Sequence, residues 1–316
     1  MIDFRYHLVS LIAVFLAIAL GVLIGTTALN DPIATNIEGQ VTELEQDKRS
    51  LEDRTQQLQV QLDSSDAFAV AVAPSLVSGA LADRSVLLVL TDDEVLPDQV
   101  EQITALIAAA GGTVNGTVSL QPEFSDPSTA SSLQNYVTGP GMPPAGVELP
   151  ETDDPGQLVG GLLAQVLMIP PGGNAPDGSA ASAVLAGLVA LDVLVPEGDS
   201  VAPADYAVVL TSGALTGEDA AERNATLVEL VTALDSAGSG VVVAGDAASA
   251  GDGGLVSVLR DDPNLSVAVS TVDNVGSAAG RISTVLALGS EAEGTSGRYG
   301  AGEDAQPVPP LPDAAP

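Results

Sequence analysis

The chain has 316 residues, enough for one large domain or two small ones with a real core. Forty-two acidic residues against nine basic ones give a formal net charge of -33, which repels a phosphate backbone and argues against nucleic acid as a partner. Cysteine is absent, which excludes disulfides and thiolate metal sites without choosing a side of a membrane.

Residues 8–29 carry no charge, and their only polar side chains are Ser10, Thr26 and Thr27. At helical rise this run is about 33 Å long, enough to cross a hydrocarbon core, so it is expected to be a transmembrane anchor. Thr26 and Ala28 could also form the small-residue cleavage site of a signal peptide. The apolar run, however, exceeds the roughly 7–15 residues of a signal core, which favours an uncleaved anchor. Arg5, the amino terminus and His7 precede the run, offset in part by Asp3, whereas Asp31 and Glu38 follow it. Lys48 is the first basic residue beyond. This asymmetry places residues 1–7 in the cytoplasm and the remainder outside it, on a single-pass cell-membrane protein. Ala13, Ala17, Gly21 and Gly25 recur every four residues on one face, a spacing that lets two helices approach closely in lipid and admits a homo-oligomer.

Asn30-Asp31-Pro32 is expected to break the helix. A second pattern follows: Ile37, Val41, Leu44, Lys48, Leu51, Thr55, Leu58 and Leu62, at intervals alternating four and three. This is a heptad repeat, so residues 36–65 are expected to form a short coiled coil with Leu44, Leu51 and Leu58 at d. The same pattern would serve an amphipathic helix lying on a globular domain. Lys48 and Thr55 are polar a positions. In a parallel pair of identical helices, Asp47 and Glu52 would face each other and repel unless Lys48 reaches across. A different partner helix carrying basic residues fits the seam better.

From residue 68 the pattern changes to α/β. Residues 85–90 (SVLLVL) read as a buried strand, Val100, Ile103, Leu106 and Ile107 mark one face of a helix from about Pro97, and residues 113–120 are the next strand. A similar unit recurs: a strand at 206–211 (YAVVLT), a helix marked by Leu227, Leu230, Val231 and Leu234, and a strand at 241–244. Residues 265–269 predict one more strand, followed by a helix over about 276–288. Alternating strands and helices predict a mostly parallel sheet flanked by helices, spanning residues 68–289. Between the units, residues 139–177 are rich in Pro and Gly around a helix at 158–168. Residues 290–316 are an acidic Gly/Pro tail with little to bury, and disorder is expected there.

The opening MIDFRYHLVSLIAVFLAIALGVLIGTTAL, the heptads behind it, SVLLVLTDDEV, LTSGALTGED, STVDNVGSAAGRISTVLAL and the terminal RYG together resemble the actinobacterial copper-transporter family typified by MctB, from residue 1 to about 302. The resemblance implies a role in copper export or tolerance at the cell envelope. It also brings in septal cell-wall relatives that work with a second membrane protein through coiled-coil contacts.

The residues themselves offer copper little. Copper takes cysteine, methionine or histidine ligands, and the inventory here is His7, Met1, Met142 and Met168. His7 and Met1 belong to the cytoplasmic end, so the exported part retains two thioethers. Copper is thus implied by resemblance alone, and no cofactor is expected. Three carboxylate clusters remain: Asp92-Asp93-Glu94, Asp153-Asp154 and Asp261-Asp262. Asp92 and Asp93 follow a predicted strand's C-terminal end, where α/β folds place their sites, and could serve acid/base chemistry or a hard cation. Serine-histidine catalysis and histidine zinc sites fail for want of a histidine outside the cytoplasm. Gly245-Asp246, Gly251 to Gly254 and Ser212-Gly213 follow predicted strands but lack GxGxxG and a nearby basic residue, so turns and caps account for them. The expectation is a non-enzymatic, membrane-anchored envelope scaffold or adaptor. Copper export is the alternative and a carboxylate-dependent enzyme the third reading.

Overall fold

The computed structural model describes residues 4–198 and 200–311, with the backbone alone described over 26–38. The chain divides into two compact units, Met1–Ser65 and Asp66–Pro316. One helix, α1 (Phe4–Val77), fills the first unit and supplies the start of the second. Its segment Phe4–Gly25 is apolar and 22 residues long, about 33 Å at helical rise and sufficient to cross a membrane.

The expected break at Asn30-Asp31-Pro32 does not occur, because α1 is helical through these residues. Proline removes one intrahelical N–H and strains one turn, whereas helix propagation is cooperative. Long helix-favouring stretches on both sides carry the helix across the missing bond. Beyond it, Val41, Leu44, Leu51, Leu58 and Leu62 are between 50% and 70% exposed. A stripe of apolar side chains thus faces outward from α1, and the side chain of Ile37 lies outside the described residues.

The second unit is a seven-stranded sheet with order β3-β2-β1-β4-β5-β6-β7. The expected elements appear as β1 (Ser85–Leu90), α2 (Pro97–Ala109) and β2 (Thr113–Leu120). Next come α3 (Ala130–Val137), α4 (Pro155–Leu167), α5 (Gly178–Ala190) and the edge strand β3 (Leu194–Glu197). The second half holds β4 (Tyr206–Thr211), α6 (Ala220–Ala237), β5 (Val241–Gly245), α7 (Leu255–Asp261), α8 (Leu265–Ala268), β6 (Ser270–Val272), α9 (Ala278–Ala292) and β7 (Arg298–Tyr299). All pairings are parallel except β2 with β3.

Strand alternation sorts the core onto two faces. Leu87, Val89, Val209 and Val243 join side chains of α4, α5 and α6, while Val86, Leu88, Val208 and Val242 join Ala73 and Val77 of α1 together with α2 and α9. β4 and β5 are buried throughout and β1 in all but its end residues, so these strands read as continuous apolar runs. Gly160 lets α4 press onto α6, since a Cβ there would meet the Leu230 Cα at 3.2 Å.

Two expectations need correction. Residues 265–269 are not a strand: they form the single-turn helix α8, and the strand is the more polar Ser270–Val272. Asp262 Oδ1 accepts the backbone N–H groups of Asn264 and Leu265 and starts a turn there, and Val267 points outward, so the apolar alternation marks no buried face. Part of the expected disordered tail, 290–316, is likewise structured within the described residues. Arg298–Tyr299 pairs in parallel with β6, and Tyr299 is buried. One buried aromatic side chain and the backbone bonds of Gly297, Gly300, Ala301, Gly302 and Gln306 hold this stretch in place of the missing aliphatic residues.

Candidate functional site

The strand order reverses between β1 and β4. β1 leads through α2 to β2 on one side, and β4 leads through α6 to β5 on the other, so their C-terminal ends flank the crevice where doubly wound sheets bind ligands. Asp92 stands at this crevice. Its Oδ1 accepts Ser212 Oγ–H at 2.6 Å and the Glu94 N–H at 3.0 Å; its Oδ2 accepts the Ser212 N–H at 3.0 Å and Thr91 Oγ1–H at 2.9 Å. A carboxylate has about four acceptor positions, so internal donors saturate Asp92. The side chain staples the loop after β1 to the loop after β4. Asp93 is exposed.

The same device recurs along this edge. Asp246, after β5, accepts the N–H groups of Gly213 and Ser249 through Oδ1 at 3.0 and 2.9 Å. Asp273, after β6, pairs with Arg260 Nη1 at 2.7 Å and accepts the Ala301 and Gly302 N–H groups. In each of the other acidic clusters one member accepts backbone N–H groups. Asp154 accepts the Gly156 and Gln157 N–H groups at the start of α4, and Asp262 accepts the Asn264 and Leu265 N–H groups in the turn that leads into α8. Gly254 is demanded by packing, because a Cβ there would lie 2.0 Å from the Ser249 carbonyl oxygen.

A groove of about 860 Å³ opens between α4, α6 and the Pro-rich loops, with Pro170, Pro171 and Met168 among its lining. Its charged lining is Glu148 and Glu229, so it suits neutral or cationic rather than anionic groups. Burial pushes the Glu229 carboxyl up, and a hydrogen bond from Gln157 pulls it down. Sequence reasoning missed this groove because α4 and α6 are far apart in the chain.

Met168 is buried in the core and Met142 packs against its margin. His7 lies within the apolar segment, and Met1 is outside the described residues. Among the described residues, no group of three or more His, Cys, Asp or Glu side chains is placed to hold a metal ion.

On α1, Lys48 Nζ meets Glu52 at 3.4 Å and Arg49 meets Glu45 at 3.8 Å, both one turn apart on the same helix. Thr55 Oγ1–H bonds back to the Leu51 carbonyl at 2.8 Å. Its hydroxyl is satisfied within the helix, so Thr55 can enter an apolar seam without burying an orphan donor. Ala13, Ala17 and Gly21 are exposed, Gly25 is half-buried, and no atom lies within 4 Å of where a Cβ would sit on Gly21 or Gly25.

A family model described as "Copper transport outer membrane protein, MctB" matches residues 1–310. The copper transporter MctB of Mycobacterium tuberculosis (strain ATCC 25618 / H37Rv) is 32% identical over 313 residues, covering 98% of this chain and 99% of the relative. The copper transporter MctB of Mycobacterium leprae (strain TN) is 31% identical over 316 residues, with the same coverage.

Proposed function

The chain belongs to the MctB family, and from that premise we propose that it is a membrane-anchored envelope scaffold or adaptor that works without catalysis. The exposed seam of α1 carries this reading. Val41, Leu44, Leu51, Leu58 and Leu62 present an apolar stripe to water, and such a stripe on a long helix calls for a second helix. Glu45, Asp47 and Glu52 flank it, so the partner is a helix with basic residues on an envelope protein rather than a second copy. The apolar segment Phe4–Gly25 anchors the chain with its amino terminus in the cytoplasm, since Arg5 stands at its first turn, before the uncharged run 8–29, and Asp31 and Glu38 follow that run. The α/β unit then lies outside the cytoplasm. Saturation of Asp92 by four internal donors supports a non-catalytic role for the sheet's C-terminal edge.

Cross-linking in membranes, followed by mass-spectrometric identification, tests the reading. One envelope protein should be captured by the wild-type chain and lost in Leu44→Glu/Leu51→Glu; recovery of this chain alone would refute it. Copper export is the second reading, favoured by the description of the family and of its relatives. It requires copper to be handled as cargo by an assembly, because Met142 and Met168 are a sparse ligand set for Cu(I).

A further inference from the structure

Glu291 lies in the last turn of α9 and is buried. A helix C-terminus carries partial negative charge and disfavours a carboxylate. Glu291 Oε1 accepts the backbone N–H of Ser270, the first residue of β6, at 2.9 Å. Its Oε2 lies 3.1 Å from Ser296 Oγ, which in turn lies 3.0 Å from the Ala268 carbonyl oxygen. A carbonyl and an ionised carboxylate only accept, and a serine hydroxyl has one hydrogen. If Glu291 is ionised, that hydrogen can satisfy only one of the two contacts. If Glu291 is neutral, its Oε2–H donates to Ser296 Oγ, the serine hydrogen goes to Ala268, and both contacts are made.

We propose that Glu291 is held as the neutral acid and acts as a proton-dependent latch, tying the turn around Ser296 to the start of β6 and loosening it when the proton leaves. The same turn feeds β7: Gly297 N–H donates to Ser270 Oγ at 3.0 Å, and Thr271 N–H donates to the Gly297 carbonyl at 2.9 Å. The titratable groups facing Glu291 offer no compensating charge. They are Asp235 of α6, Tyr206 of β4 and Tyr299 of β7, while the nearby Arg84 bears on Tyr206. Among the described residues, Glu291 has no ion pair. Burial pushes Glu291 up to about 7, Asp235 pushes the same way, and the hydrogen bonds from Ser270 and Ser296 pull it down. The folded chain therefore holds a proton that the unfolded chain, with its carboxyl near 4.5, releases. The resulting stability is complete below about pH 4.5 and is lost as pH rises through about 7.

The test compares the full chain and Glu291→Gln in neutral detergent micelles at about pH 5.5 and pH 8.5, on either side of the transition. Glutamine keeps both contacts, since its Nε2 donates to Ser296 and its Oε1 accepts from Ser270. Asp235, Glu229 and the net acidity are common to both proteins, so the difference isolates Glu291. The wild-type Tm should fall by about 5 °C more than that of the variant between the two pH values. At pH 8.5 the Thr271 and Gly297 amides should exchange about tenfold faster in the wild type, and at pH 5.5 the two should match. Equal pH dependence, or a variant that is less protected at both pH values, would overturn the latch. Should Glu291→Gln not fold, an exchange titration of the wild type decides the matter. Protection at Gly297 lost with a midpoint near pH 7 supports the proposal, and constant opening free energy across the range sinks it.

Discussion

Ser212 donates to Asp92 through both its backbone N–H and its hydroxyl, and that pair of hydrogen bonds limits what Asp92 can do. A carboxylate with four internal donors has no acceptor position left for a substrate proton or a cation. Removing it leaves half-buried donors without partners, which costs about 1–3 kcal/mol for the first and less for those that regain water. Asp92→Ala is therefore expected to lower unfolding stability by about 2 kcal/mol in urea titrations. Asp93→Ala, at an exposed position, should change it by less than about 0.5 kcal/mol. A carboxylate enzyme would behave differently, losing function in both variants at unchanged stability. Arg260 and Asp273 follow the same logic on the other side of the sheet. Arg260 joins Thr271, Asp273 and the Tyr299 carbonyl, so one buried ion pair organises β6, β7 and the segment after them. Asp273→Ala should cost about 3 kcal/mol, because it leaves a mostly enclosed guanidinium unpaired, and should free the Ala301 and Gly302 amides to exchange.

Elements were legible wherever period and punctuation agreed. β1, α2 and β2 lie where the apolar runs and Pro97 placed them, with β1, Ile103 and Ile107 of α2, and the last three residues of β2 buried. β3 and α5 were not legible. α5 is Ala- and Gly-rich with an apolar residue at nearly every turn position, so no face stands out, and its start is marked by Asp177, which accepts the Ser179 N–H. β3 is a four-residue edge strand containing Pro196, a composition that reads as loop. The groove beside α4 and the latch at Glu291 depend on contacts between distant segments, which no local period records. The heptads of α1 were legible as a pattern, and their use is tested at this scale. Leu44→Glu/Leu51→Glu replaces two exposed leucines, so the α/β unit should keep its Tm within about 2 °C. The isolated peptide 36–65 should remain largely unfolded alone at low micromolar concentration, since a helix of this length with Lys48 and Thr55 in the seam is marginal without a partner. A stable helical homodimer in sedimentation and circular dichroism would shift the partner to a second copy.

Charge and the proposed topology govern the behaviour of the whole molecule. On the proposed orientation, amino terminus inside, a cysteine introduced as Ser64→Cys is expected to react with an impermeant thiol reagent on intact cells whose outer layers admit it. Labelling only after lysis, beside an outward-facing control, would reverse the orientation. Copper is the remaining question at this scale. A net charge of -33 draws cations of every kind toward the surface, so weak, salt-sensitive association with Cu(II) is no evidence of a site. Cu(I) is the discriminating probe, because it selects thiolate and thioether over carboxylate. The α/β unit offers it Met142 and Met168. Met168 is 1% exposed although it borders the groove beside α4, so coordination there would have to displace packed apolar contacts. Titration of the full chain against a competing Cu(I) chelator should therefore find binding no tighter than micromolar, and added salt should leave that limit unchanged. Submicromolar, stoichiometric binding that disappears in a Met142→Leu/Met168→Leu double variant of unchanged Tm would place the cargo on this chain itself. Submicromolar binding that survives the double variant would instead point to the amino-terminal end, where His7 stands.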